Sequence, residues 1–291
     1  MATLRELKSR IGSVASTQKT TSAMKMISSA KMRKATQQLQ RLSPYRDMVR
    51  NVISHLLVTD SEFDSPLLNS REIQRVALVV MGSDDGLCGA FNINIFKQLL
   101  VSIEKWRNLG VAVTVIPVGR KLTKATLKLN IEGVEVETTD LNTRSDSNRL
   151  HDFTANLVDR FTACELDCVE VFYMCFKSAG KQVLENEQLL PVRYEALTGQ
   201  VDESAANSPC LFEPDANAIF RSVLPLHIRA TMQNIFTQSA ASEQAARVMA
   251  MQTASDNAKE LLDTLNLEYN KLRQSAITTE LLDILGGQVV R

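Results

Sequence analysis

Apolar positions in the first part of the chain recur at spacings of three and four. Leu4, Leu7, Ile11 and Val14 begin the stripe, and a 3-4-3 spacing is the seam of a coiled coil. The same register then falls on Gln18, Thr21, Lys25 and Ser28, where apolar contact thins. It recovers at Met32, Ala35, Leu39 and Leu42. Between residues 2 and 43 there is one glycine, Gly12, and no proline, so little in that stretch opposes a helix. The far end of the chain reads alike: Ala254, Ala258, Leu261, Leu265 and Leu272 form a comparable stripe, and no Pro or Gly lies between Pro225 and Gly286. That breaker-free length predicts one helix of about 60 residues, roughly 90 Å at ~1.5 Å per residue. An average globular helix has only ~10–14 residues. A globular core cannot cover such a helix, so part of it has to pair with another helix or enter a partner. Two long terminal helices with imperfect seams predict a two-stranded antiparallel coiled coil. A pair of long helices in an ordinary bundle also fits, because three to four clean heptads are the usual requirement.

Between the helices the period changes. Residues 75–81 (RVALVVM) are a β-branched apolar run that reads as a buried strand, and 111–118 (VAVTVIPV) reads as a second. Helices are predicted over 91–106, 119–129 and 150–163. Strands follow at 168–176 and, antiparallel at an edge, at 182–192. Alternating β and α predicts a Rossmann-like open α/β sheet with helices on both faces. The fold class is thus α/β plus a long helical coiled coil. A helix spans 1–60, the α/β domain is inserted at 70–200, and a second helix at 210–291 pairs with the first. Residues 198–215 carry Gly199, Pro209 and Pro214 and read as a loop leading back to the helical part.

Charge sharpens this picture. Formal net charge is zero, yet residues 1–50 hold 11 Lys and Arg against 2 acidic residues, a net of +9. Such asymmetry marks an electrostatic partner surface. The basic residues are not interleaved with stacking aromatics and fit no nucleic-acid motif, so a solvated helix face or an acidic protein partner is expected rather than nucleic acid. Hydrophobic content of 44% excludes global disorder, while aromatics at only 5% fit a protein dominated by helix–helix contact. The longest apolar run, 76–81, is far short of the ~20 residues a membrane span needs. The amphipathic pattern starts at the first residues with no signal or transit segment ahead of it, so a soluble chain reached without import is expected. Five cysteines without a CxxC pair predict ordinary thiols in a reducing compartment.

Candidate chemistry is sparse. A Gly-rich turn, Gly82-Ser-Asp-Asp-Gly-Leu-Cys-Gly-Ala-Phe-Asn92, follows the first strand directly, where nucleotide-binding folds place a phosphate cradle. It is neither GxxxxGK[ST] nor GxGxxG, and no Lys follows to neutralise phosphate. The simpler reading is a turn whose glycines permit positive φ and close packing. His55, His151 and His227 lie in separate segments without companion ligands and read as surface or packing residues. Cys164 and Cys168, four apart, would share a face if that segment were helical, but lack further ligands at zinc spacing. No nucleophile–base or paired-carboxylate arrangement is legible.

Three blocks carry a family resemblance. The first lies in 4–34 and includes RIGSVASTQKTTSAMKMISSAKMRK. The second is the turn SDDGLCGAFN at 83–92. The third, at 242–287, holds SEQAARVMAM, SDNAKELL and YNKLRQSAITTELLDILGG. Together they resemble the gamma subunits of F-type ATP synthases, in order along the whole chain. The resemblance implies a non-catalytic central rotor stalk in a proton-translocating complex, coupling ion flow through a membrane c ring to conformational change in an alpha–beta ring. It implies alpha and beta partners at 3:3:1, an epsilon subunit and the c ring, with no cofactor or metal held by this chain. The expected location is peripheral, on the cytoplasmic side of a bacterial plasma membrane. Contact with the ring is implied for Met24 and Lys25, aided by Lys19, Lys31 and Arg33. It is also implied for Arg273, Gln274 and Thr278, and for an apolar tip of Leu281, Leu282, Ile284 and Leu285. At the foot, Asp84, Gly86, Cys88, Gly89 and Phe212 are implied to meet epsilon or the c ring, or to pack locally. Asp85 stands where the family turn usually has a basic residue, Asp283 where many relatives have Glu, and Ser28 and Ser29 where alanines are common. The redox insertion of chloroplast members is absent. A non-rotary scaffold, a small α/β enzyme using the Gly82–Asn92 turn, and a basic-helix nucleic-acid binder are the rival readings of the residues alone.

Overall fold

The computed structural model describes residues 3–58, 63, 65–129, 131–193, 197, 213 and 215–288. In chain order the elements are α1 (Leu4–Val58), β1 (Arg75–Met81), α2 (Phe91–Asn108), β2 (Ala112–Val118), α3 (Arg120–Thr126), β3 (Val134–Val136), α4 (Ser147–Thr162), β4 (Cys168–Ser178), β5 (Lys181–Leu190) and α5 (Ala216–Gln288). Helix α1 opens on a capping box. The Thr3 N–H donates to Glu6 Oε2 at 2.8 Å and the Glu6 N–H donates to Thr3 Oγ1 at 3.3 Å, so two otherwise orphaned donors are satisfied reciprocally. Asp146 and Asp215 cap α4 and α5 by accepting from the Arg149 and Ala218 N–H groups.

The chain forms two compact units, one of residues 30–246 and one of residues 1–29 with 247–291. The first is built on a five-stranded sheet of order β3-β2-β1-β4-β5. Strands β1, β2, β3 and β4 are parallel, and β5 is antiparallel to β4 at the edge. Strand β1 is central and buried on both faces, which is why its sequence is an unbroken apolar run. Ala77, Val79 and Met81 face one layer with Val49 and Ile53 of α1, Phe161 of α4, and Phe220 and Ile228 of α5. Val76, Leu78 and Val80 face the other, with Ile95, Leu99 and Trp106 of α2.

Strand β3, three residues long, was not expected from the pattern, since Val134–Val136 is too short for its alternation to register. Helix α5 has 73 residues and continues through Pro225 rather than starting beyond it. Likewise α1 runs through Pro44. Each proline removes one backbone donor. Burial of Ile53 and Leu56 after Pro44, and of Phe220 and Leu224 before Pro225, offsets that loss by ~1.5–3 kcal/mol per large apolar side chain.

In the second unit the protected positions of α1 are Leu4, Leu7, Ile11, Val14, Gln18, Thr21, Lys25 and Ser28, with a few neighbours. That is the register read from the sequence, polar positions included. On α5 the protected set includes Met251, Ala254, Ser255, Ala258, Leu262, Leu265, Tyr269, Leu272 and Ala276. Within it 251, 255, 258, 262, 265, 269, 272 and 276 repeat at 4-3 spacing, so a serine holds one seam position here too. Leu262 holds the seam position that the sequence pattern assigned to Leu261, which is 40% exposed. The step from Ala258 to the next seam residue is four, not three. Leu7 and Leu265 are almost fully covered, which a lone helix cannot achieve, so each helix covers the other. Segment 1–29 leads out of this unit and segment 247–291 leads into it, so the pair is antiparallel.

Candidate functional site

The seam fixes what points outward in the helical unit. On α5, Gln274, Ile277, Thr278 and Leu281 share one face at i, i+3, i+4 and i+7. All four are exposed, Ile277 by 49% and Leu281 by 55%. Arg273 lies beside them, exposed and in no ion pair among the described residues. The Thr278 hydroxyl donates to the Gln274 carbonyl at 2.9 Å, which leaves its oxygen lone pairs as acceptors. Leu282 is exposed as well. The side chains of Ile284 and Leu285 lie outside the described residues.

On α1, Met24 is exposed, whereas Lys25 is half-buried because the register puts it on the seam. Its four-carbon stem covers the seam while its charge reaches water. Met26 (65%) and Ile27 (57%) stand fully outward, and the sequence pattern did not single them out, nor Leu267 and Ile277. The signal was present: a large apolar residue off a known seam register has no intrachain partner. The outer faces of both helices therefore carry apolar side chains with an exposed guanidinium among them.

The Gly82–Asn92 turn in the other unit is a clamp. Ser83 and Asn92 bond reciprocally, the Ser83 N–H to Asn92 Oδ1 at 3.0 Å and Asn92 Nδ2 to Ser83 Oγ at 2.7 Å. Asp84 is buried and accepts from the Arg120 N–H at 3.2 Å, and from the Thr143 N–H and hydroxyl at 3.0 and 2.7 Å. One carboxylate thus joins the ends of β1 and β2 to the loop before α4. Asp85 pairs with Arg120 at 3.3 Å and Arg144 at 2.8 Å. Gly119, at φ +97°, comes so close that a Cβ there would stand 2.8 Å from the Gly82 carbonyl oxygen, and a Cβ on Gly82 would stand 2.5 Å from Leu122 Cβ. A cradle needs open backbone and positive charge. Here the backbone approach is taken up by Leu122 and Gly119, and the turn itself contributes two carboxylates.

Cys88 is buried under the turn, with its sulfur 3.5 Å from Asn92 Nδ2. Gly89 takes φ +59°. At Gly86 an added Cβ would meet only the end of the Lys121 side chain, at 3.7 Å. Asp84 and Cys88 thus pack within the turn, Gly89 shapes its backbone, and Gly86 is partly open. Phe212 lies outside the described residues.

A further polar cluster supports the domain. Asp167 accepts from the Gln74 and Arg75 N–H groups at 3.0 and 2.9 Å and from Arg71 Nε at 2.6 Å. Burial alone would raise this carboxyl, but those donors outweigh it and hold it below the usual range. Arg71 also caps the Phe161 ring, 4.6 Å from its centroid, and donates to Cys164 Sγ at 3.0 Å. Cys164 sits in a left-handed turn at φ +59° after α4, while Cys168 opens β4. They share no helix face, because α4 stops at Thr162. Burial, with Glu170 nearby, pushes the Cys168 thiol up to about 12. His227, buried under α1, is pushed down to about 4 by burial first and then by Arg50 and Arg46.

The chain thus joins a two-helix coiled coil with an outward apolar and cationic surface to an inserted α/β domain. A model of the family described as ATP synthase matches residues 3–289. The chain is 38% identical to the ATP synthase gamma chain of Bacteroides thetaiotaomicron, over 99% of this chain and 100% of that one. It is 39% identical to that of Phocaeicola vulgatus with the same coverage, and 37% identical to that of Nitrosococcus oceani over 99% of both. The chain belongs to the ATP synthase gamma-chain family. Its fold matches a chain of the Euglena gracilis mitochondrial ATP synthase, in a structure of OSCP, F1 and c ring, with TM-score 0.68 and 20% identity over 99% of this chain and 94% of that one. It also matches a chain from the central stalk and c ring of the Tetrahymena thermophila mitochondrial enzyme, with TM-score 0.60 and 22% identity over 81% of this chain and 99% of that one.

Proposed function

We infer that this chain is the central rotor stalk of an F-type ATP synthase. It couples proton flow through a membrane c ring to conformational change in a ring of three alpha and three beta subunits, and it performs no bond chemistry itself. The observation that carries this reading is the outer surface of the coiled coil. Met26, Ile27, Ile277, Leu281 and Leu282 are large, apolar and uncovered in a chain that matches the family from end to end. A hydrophobic surface of that kind marks a partner. Its makeup suits a partner that keeps changing, since flexible Met and small Ser, Thr and Ala adapt to successive contacts.

The energetics ask for such a shaft. One elementary charge crossing ~100 mV releases only about 2.3 kcal/mol, so several translocation steps have to be pooled for each ATP. A paired helix stores and passes on torsion that a loop would dissipate. Arg273, with Gln274 and Thr278, engages polar groups of the ring, the planar guanidinium being suited to bidentate carboxylate contact. Met24 and the Lys25 ammonium meet an acidic segment of the ring. Leu281 and Leu282, with Ile284 and Leu285, seat the tip. The α/β unit belongs to the foot, where epsilon and the c ring dock around the turn at Asp84–Gly89 and Phe212. Among the described residues no helix is long and apolar enough to cross a membrane. Attachment is peripheral, on the cytoplasmic side of a bacterial plasma membrane, through the c ring.

The test is reconstitution with separately expressed alpha and beta subunits. The expected outcome is a 3:3:1 complex whose ATPase activity depends on this chain. Arg273→Glu leaves the chain folded and impairs rotary coupling; normal coupling in that variant would remove the role assigned to Arg273. Failure of a folded chain to assemble would favour a scaffold.

A further inference from the structure

A cleft of about 1000 Å³ opens within the α/β unit. Its first wall is a stripe of α1, with Lys31, Lys34, Gln38, Arg41 and Tyr45 at 3-4-3-4 spacing. Its second is the facing stripe of α5, including Arg229 and Gln233. The N-terminal end of α4, with the loop before it, closes the third side. Lys31, Lys34, Arg41 and Arg229 are all exposed, and none of them forms an ion pair or hydrogen bond among the described residues. Two facing helices thus aim four uncompensated cations into one space. The fifth cation, Arg144, is already held by Asp85 at 2.8 Å.

The acidic groups on the cleft do not cancel these charges. Asp85 is shared between Arg120 and Arg144. Asp146 is bound to the Arg149 N–H as the cap of α4. Glu243 is buried, 2% exposed. The positive end of the α4 dipole adds to the field. Tyr45, half exposed, offers an aromatic face beside Leu42 and Leu226 on the same cleft. Cations that repel one another across a shared cleft are relieved by a multivalent anion. The volume lies at the upper end of the ~300–1,000 Å³ typical of small-molecule sites.

We propose that this cleft binds a nucleoside di- or triphosphate, with its phosphate chain held by Lys31, Lys34, Arg41 and Arg229 and its base against Tyr45. The cleft borders the Gly82–Asn92 turn through Asp85 but does not use that turn's closed backbone, and it gives the rotor foot a contact with the nucleotide pool.

Binding is measured on the isolated full chain by titration calorimetry, with ATP and inorganic tripolyphosphate as probes. The expected result is saturable 1:1 binding of ATP. It weakens about tenfold in Lys34→Gln and in Arg229→Gln, the loss of one charge-assisted contact, and it weakens as salt rises. Tripolyphosphate binds less tightly than ATP, and Tyr45→Ala removes the difference. Both cations are exposed on helices and Gln is a good helix former, so circular dichroism should show full helicity. Arg41→Gln provides an independent third variant on the same wall. No saturable binding at millimolar ATP, or ATP binding that all three cation variants leave unchanged, overturns the proposal. Equal affinity for tripolyphosphate and ATP overturns the nucleotide assignment. The titration uses no other subunit, so its outcome is independent of whether the chain assembles into a rotor.

Discussion

The paired-helix unit and the α/β unit are stabilised in opposite ways. In the α/β unit a central strand is covered on both faces, and Val76 through Val80 have no exposed surface. In the helical unit burial is confined to one seam, and that seam passes through Gln18, Thr21, Lys25 and Ser28. One unit turns its apolar residues inward. The other holds several outward, at Met26, Ile27, Leu267 and Ile277. A permanent core needs close packing, whereas a shaft that turns against other subunits cannot interlock with them. The uncovered outer face is the compromise that follows.

The largest expected effect separates the two units. Leu78→Ala, at a position with 0% exposure, costs about 3–4 kcal/mol in urea unfolding of the isolated chain. Leu265→Ala on the seam lowers helicity and speeds amide exchange locally while leaving that main transition nearly in place. Equal shifts in the main transition would mean the two units unfold as one.

A second effect is a pH dependence confined to the α/β unit. His227 is neutral when folded, with its value lowered from 6.5 to about 4. Its contribution is complete above the unfolded value and is lost as pH falls from about 6.5 towards 4, on the order of 3 kcal/mol. His227→Phe should flatten that part of the stability profile, measured by denaturation at a series of pH values. The seam of the helical unit carries no histidine and should not respond over this range.

Asp84→Ala comes next. It leaves the Thr143 and Arg120 donors without their acceptor, at about 2 kcal/mol. Thermal unfolding measures it, and Asp85→Asn in the same assay should cost under ~1 kcal/mol because its ion pairs are exposed. The smallest effect sharpens the seam. Leu262→Ala should raise amide exchange along 247–282 by about tenfold, roughly 1.4 kcal/mol, and Leu261→Ala should hardly change it. The reverse ranking would restore the register read from the sequence.

Much of this architecture is legible in the sequence. Strand β1 at Arg75–Met81 coincides with its expected bounds, because an apolar run buried on both faces has no competing pattern. The α1 register carried through four polar positions, because a helix keeps its phase whichever residues occupy it. On α5 the register slipped by one at Leu261, where two adjacent leucines make both phases apolar and only the partner helix chooses. Pro225 bounds the breaker-free run that reads as a helix of about 60 residues, yet α5 runs through it, as α1 runs through Pro44, since tertiary burial on either side outweighs one lost backbone bond. The Cys164–Cys168 spacing would give a shared face only in a helix, and α4 stops at Thr162 before the left-handed turn at Cys164.

The sequence by itself determined the local structure of this protein: the long helices, the seam phase of α1, the central strands and the family. Periodicity and breakers act between near neighbours and are visible in one dimension. The tertiary structure alone decided which residues meet across distance. It set the Asp84 clamp on Thr143 and Arg120, the choice of Leu262 over Leu261, and the convergence of Lys31, Lys34, Arg41 and Arg229 on one cleft. Those pairings join segments tens to hundreds of residues apart, and no local pattern encodes the point at which packing brings them together.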